Sequence, residues 1–73
     1  MVKIIVRKGR DKSLRRHHPW LFSGAVHSIE GRPDKGETVD VLSADGVFLG
    51  RGAYSSRSQI RVRIWTFQEG QEI

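Results

Sequence analysis

Apolar and polar residues alternate in short runs along this chain, and that alternation predicts strands rather than long helices. Residues 2–7 form the first such run, rich in β-branched side chains (Ile4, Ile5, Val6), and Lys8-Gly9 ends it. A second strand is expected over 23–29. A third spans 38–42, with Val39 and Val41 on one face. Ala44-Asp45-Gly46 then carries the Asp-Gly signal of a tight hairpin, and the returning strand covers 47–54. The last clear strand, 59–67, points Ile60, Val62 and Ile64 inward and Arg61 and Arg63 outward.

One segment breaks the alternation. Residues 10–17 read as a short helix, with Asp11 near its start and Pro19 closing it, because a residue before proline is biased out of the helical region. Leu14 and the run Trp20-Leu21-Phe22 are the expected apolar anchors, and Trp20, flanked by Leu21 and Phe22, reads as a core residue. Within the returning strand, Gly50 and Gly52 share a face; glycines there mark a bend or a close backbone approach, which a small closed barrel needs. About five strands and one early helix describe a mostly β fold with one or two short helices, shaped as a small barrel. The 73 residues suffice for one domain.

Charge adds direction to this picture. The net +5 is unevenly placed: residues 1–20 hold seven Lys/Arg against one acid, 21–49 two against five, and 50–73 four against two. Nine of the thirteen cations are arginine, whose planar fork binds phosphate bidentately and whose face stacks on bases. A basic domain with clustered arginine points to nucleic acid. The longest apolar runs are far too short to span a membrane, and the first residues lack the apolar stretch of a signal peptide, so a soluble cytoplasmic protein is expected.

Catalytic chemistry finds no foothold. The absence of cysteine removes disulfides, thiolate zinc sites and a cysteine nucleophile. Gly50-Arg51-Gly52 lies within a strand and not in a nucleotide-binding turn. His17 and His18 point apart with no third metal ligand in view. Ser23, His27 and Asp40 form a triad only on paper, without a nucleophile elbow. What remains is Lys12, Arg15 and Arg16 on one short helix, followed by His17, His18 and Trp20: cations for phosphate, rings for unpaired bases. His18 is read equally as a turn-stabilising residue.

The run from Lys12 to Ala25, Lys-Ser-Leu-Arg-Arg-His-His-Pro-Trp-Leu-Phe-Ser-Gly-Ala, resembles the opening of a known family, and so do Gly46 to Tyr54 and Ser58 to Arg63. The family is the PUA-like domain that begins bacterial S-adenosylmethionine-dependent cytosine-5 methyltransferases of large-subunit ribosomal RNA. Two departures are visible: Ser56 stands where proline is commoner, and His17 where arginine is common. The resemblance implies a PUA-like pseudobarrel over 1–67, with 68–73 starting a linker to a catalytic domain absent from the chain. It implies RNA contacts at Lys12, Arg15, Arg16, His18, Ser23 and Gly24. Arg51, Arg57, Arg61 and Arg63 form a second cationic group. Trp65 and Phe67 continue the Arg61/Arg63 face and are expected to contact the downstream domain. No cofactor is expected in this chain, S-adenosylmethionine being implied for the parent, an rRNA (cytosine-C5) methyltransferase. The expected partner is RNA, most simply large-subunit ribosomal RNA. The alternatives are a module that packs mainly on its own catalytic domain, or a free-standing translation-associated RNA-binding protein.

Overall fold

The computed structural model describes residues 2–68. Six strands form one sheet: β1 (Lys3–Val6), β2 (Trp20–Phe22), β3 (Val26–Glu30), β4 (Thr38–Leu42), β5 (Phe48–Tyr54) and β6 (Ile60–Thr66), in the order β2-β6-β5-β4-β1-β3. The β1–β4 pair is parallel and the others antiparallel. The helix, α1, is a single turn, Lys12–Arg15.

The topology forces the sheet to curl. Its two edge strands, β2 and β3, are consecutive in the chain and joined only by a 3-10 turn, Ser23–Ala25. The edges of a flat six-stranded sheet would lie roughly 24 Å apart. The chain from Phe22 to Val26 reaches at most about 14 Å. The sheet therefore bends until its edges meet at the turn. Two backbone bonds fasten that seam: the Ser23 amide donates to the Gln59 carbonyl at 2.8 Å, and the Arg7 amide to the Ala25 carbonyl at 2.8 Å.

Inside lie Ile4, Val6, Val39, Val41, Leu49, Tyr54, Val62 and Ile64 from the strands, with Leu14 of α1 and Leu21 of β2. Period-2 alternation explains β4 and β6, where Val39, Val41, Val62 and Ile64 face in as the sequence predicts. The hairpin turn forms with Gly46 at φ 86°, and the buried Ser43 Oγ accepts from the Val47 amide at 3.0 Å. Gly50 and Gly52 are both buried against β6. A Cβ on Gly52 would sit 2.1 Å from the Arg63 carbonyl oxygen, so β5 and β6 approach each other more closely there than any side chain permits.

Three expectations are corrected. Residues 23–29 are not one strand: Ser23–Ala25 is the 3-10 turn, and Trp20–Phe22 is a separate strand paired with β6. Trp20 is not core. In a three-residue strand only Leu21 points inward, which leaves Trp20 44% and Phe22 47% exposed. Phe67 does not continue the Arg61/Arg63 face. It lies beyond the end of β6, where alternation no longer applies, and its half-buried ring packs against the core and stacks on His17, with centroids 4.4 Å apart and planes 15° apart. The expected linker, 68–73, falls outside the described residues apart from Gln68. No helix among the described residues is long and apolar enough to cross a membrane.

Candidate nucleic-acid interface

The excursion between β1 and β2 carries the densest positive charge and lies beside the seam. Gly9, at φ 82°, turns the chain after β1 and delivers Arg10. Asp11 precedes α1 but makes no capping bond with its side chain; its carboxylate instead accepts from Arg15 Nε at 2.7 Å, one helical turn away. That guanidinium holds the Asp11 carboxyl below the ordinary carboxylate range. Arg15 thus spends part of its charge inside the chain.

The helix ends in a Schellman motif. The His18 amide donates to the Ser13 carbonyl and the His17 amide to the Leu14 carbonyl, each at 2.9 Å. This requires a left-handed residue at position 17, and His17 adopts φ 63° where glycine is usual. The stack on Phe67 fixes its ring. Pro19 then opens β2, its carbonyl accepting from the Ile64 amide at 2.6 Å. His18 Nδ1 accepts from the Trp20 amide at 3.3 Å, so in the neutral ring Nε2 carries the proton and faces outward as a donor.

Together these elements enclose an open groove of about 300 Å³. One lip is Gly9, Arg10, Lys12 and Ser13; the other is Trp20, Phe22, Gly24 and Ala25. A Cβ on Gly24 would meet nothing within 4 Å, which leaves that lip unobstructed. Of the residues singled out in the sequence, Lys12 and Gly24 line the groove, and His18 and Ser23 flank it. Arg15 and Arg16 are exposed on the same helix and its cap, outside the lining. Arg10, Trp20 and Phe22 also line the groove; the sequence reads Trp20 both as a base-stacking ring and as core, and singles out neither Arg10 nor Phe22 for binding. The alternation of Trp20-Leu21-Phe22 itself was the available signal.

The second cationic group is divided. Arg51 Nε donates to Asp40 at 2.6 Å, a cross-strand pair of directly opposed residues, half-buried on the outer face of β4 and β5. Arg61 Nη1 donates to the Ser56 carbonyl at 2.7 Å and holds the 55–58 loop that carries exposed Arg57. Arg63 is exposed and stands opposite Trp20 across the β2–β6 pair, on the groove side of the barrel. Trp65, two residues further along that face, is 41% exposed. Among the described residues no cluster of histidine and carboxylates has metal-binding geometry.

A curled six-stranded sheet closed by a turn, with a single short helix beside the seam, is the architecture of a PUA-like pseudobarrel. A family profile described as a PUA-like domain matches residues 4–67, and the chain belongs to the PUA-like domain family. It is similar to proteins named ribosomal RNA large subunit methyltransferase I. It shares 56% identity over 72 residues with those of Shewanella amazonensis and Serratia proteamaculans, and 53% with that of Escherichia coli. Each match covers 99% of this chain and 18% of the relative, so the chain spans less than a fifth of the proteins it resembles. A solved structure from Streptococcus mutans, described as a SAM-dependent methyltransferase, shares the fold with a TM-score of 0.71 at 19% identity, over 99% of this chain and 18% of that one.

Proposed function

We propose that the chain is an RNA-binding PUA domain that positions ribosomal RNA for a methyltransferase domain lying outside it. The observation that carries this reading is the basic groove between α1 and β2, with Arg10 and Lys12 on one lip and the unobstructed Gly24 on the other. Arg15, Arg16, His18 and Ser23 extend the same face. Arg57, Arg61 and Arg63 give a second cationic flank, while Arg51 is tied to Asp40. The names of the relatives support the substrate class, ribosomal RNA of the large subunit; the cytoplasm is the place of action this reading proposes. Cytosine C5 is the target atom that the sequence resemblance implies.

S-adenosylmethionine belongs to the parent and not to this chain. A dinucleotide-type cradle needs glycines at a strand-to-helix turn with open backbone amides. Here Gly50 and Gly52 are covered by β6. This domain contributes binding and orientation, and the nucleophile and methyl donor come from elsewhere. Trp65, exposed at the far end of the Arg63 face, favours one addition to this reading: the Trp65 end of β6, beyond the cationic flank, docks on the catalytic domain.

The test is binding of the chain to a large-subunit ribosomal RNA fragment across a salt series. Cations that neutralise phosphates release counterions, so affinity falls with salt at a slope of about −0.7 to −0.9 per contact. Lys12→Ala with Arg16→Ala should flatten the slope by about one to two and leave stability within a few tenths of a kcal/mol. An unchanged slope in the folded variant overturns the assignment of this face.

A further inference from the structure

Trp20 and Phe22 are large aromatic side chains left 44% and 47% exposed on a domain whose core has room for few. They do not stand alone. The rings of His18 and Trp20 are 5.9 Å apart, and those of Trp20 and Phe22 are 6.4 Å apart, each pair at 84°. The three rings form a row along one side of β2. An edge-to-face contact covers at most one face of one ring in each pair, so flat aromatic surface remains along the row. Phe67 shows the contrast, since His17 lies parallel on it and covers it.

The surroundings of the row are cationic. Arg63 stands opposite Trp20 in the strand pairing, and Arg10 and Lys12 line the same groove as Trp20 and Phe22. A protein partner with an apolar patch would bring its own surface against three cations that form no ion pair among the described residues. A partner whose flat faces hang from an anionic backbone satisfies rings and cations together. That chemistry is single-stranded nucleic acid. In a duplex the bases are already stacked and paired, and their faces are out of reach. We propose that Trp20 and Phe22, with His18 at the end of the row, are a stacking platform for unpaired RNA bases. The proposal rests on the RNA reading above and adds what is recognised: a loop, bulge or strand end, with Arg10, Lys12 and Arg63 on its phosphates.

Two probes separate the possibilities: an oligoadenylate of about 10 nucleotides, within the site size of small β-barrels, and a blunt-ended RNA duplex of two complementary strands. The chain has two tryptophans, so Trp65→Phe leaves Trp20 as the reporter. Oligoadenylate should quench its emission and the duplex should not. Trp20→Ala and Phe22→Ala should each weaken oligoadenylate binding by about 5- to 150-fold, the range for losing one base stack. The salt slope should stay constant, because stacking releases no counterions, whereas Lys12→Ala should flatten it. Trp20→Phe should retain most of the affinity. Should an alanine variant fail to fold, the quenching measurement and Trp20→Phe still read the contact in a folded chain. If the unsubstituted chain binds both probes with steep salt dependence while the ring variants change nothing and quenching is absent, the platform is wrong and the RNA reading survives. Equal losses on oligoadenylate and duplex also overturn the platform. If the chain binds neither probe, both fall.

Discussion

Gly52→Ala is the sharpest test of how the barrel closes. The new Cβ would lie 2.1 Å from the Arg63 carbonyl oxygen, 2.6 Å from its carbon and 2.8 Å from the Ile64 Cα. All three are backbone atoms, so no rotamer change relieves the clash. Ordinary contact begins at about 3.5 Å, so β5 and β6 must separate locally by more than an ångström. Overpacking costs about 1–3 kcal/mol, and each ladder hydrogen bond stretched beyond use adds about 0.5–1.5 kcal/mol. A loss of about 3–5 kcal/mol follows, against a total of roughly 4–11 kcal/mol for a domain of this length. Gly50 supplies the internal comparison. Its added Cβ would meet Ile64 Cγ2 at 2.9 Å and the Thr66 carbonyl oxygen at 3.2 Å; the branch methyl can move by a turn about χ1, and the backbone oxygen need shift only slightly. Gly50→Ala should cost about 1–2 kcal/mol. Gly24→Ala, with nothing within 4 Å and no left-handed φ, should be neutral or stabilise by up to about 1 kcal/mol. Urea denaturation followed by circular dichroism and tryptophan emission gives all three values. Thermal melts should place Gly52→Ala at least about 12 °C below the parent. A Gly52→Ala chain within about 1 kcal/mol of the parent, or less perturbed than Gly50→Ala, would refute the close β5–β6 approach.

Asp11→Asn should free Arg15, raise RNA affinity and steepen the salt slope by about one; an unchanged slope would show that Arg15 stays off the RNA. The Asp11 carboxyl is depressed by Arg15, so the small stability its pair contributes is present above the ordinary carboxylate range and is lost as pH falls through the lowered value. A melting series in acid should show the parent converging on Asp11→Asn. At position 17, where the Schellman motif demands φ 63°, alanine and glycine both lack the ring that stacks on Phe67, so their difference isolates the backbone: His17→Ala should be about 1 kcal/mol less stable than His17→Gly in thermal melts. Trp65→Ser should cost under about 0.5 kcal/mol, whereas Phe67→Ser should cost about 1–3 kcal/mol because its ring packs on the core; equal costs in urea titrations would contradict the different surroundings of the two side chains.

Strand periodicity was legible wherever a strand was long enough to alternate. Thr38–Leu42 matches its expected bounds, and β5 and β6 differ from theirs by a residue at one or both ends. The Asp-Gly turn and the paired glycines also told their function in advance, because each answers a local geometric demand. The misses share a different cause. Trp20-Leu21-Phe22 is an apolar run by composition and a three-residue strand by structure, and only its pairing with β6 decides which side chains face out. His17 takes a left-handed conformation that no local residue preference predicts, beside a ring fifty residues away in the sequence. Phe67 follows the parity of Arg63 and Trp65 in the sequence but lies past the end of the ladder.

Charge behaved in the same way. Counting arginines pointed to the start of the chain but could not rank them, because ion pairing is decided across the fold. Arg15 and Arg51 are each held by an aspartate, one a helical turn away and one across a strand pair, while Arg10 and Lys12 line the groove and Arg63 stands exposed beside it. The position of the groove has a topological reason. Central strands are fixed by a neighbour on either side, but β2 and β3 are edges joined by a three-residue turn, and the segment from Arg7 to Pro19 must pass beside that seam to link β1 with β2. Side chains there are free of the alternation that buries every second residue elsewhere. Cations and aromatic rings accumulate on that segment and on β2 without weakening the ten-residue core, which receives only Leu14 and Leu21 from them. The seam can thus vary its chemistry while the barrel stays closed, which supports placing the proposed binding face there and not on β4 or β5.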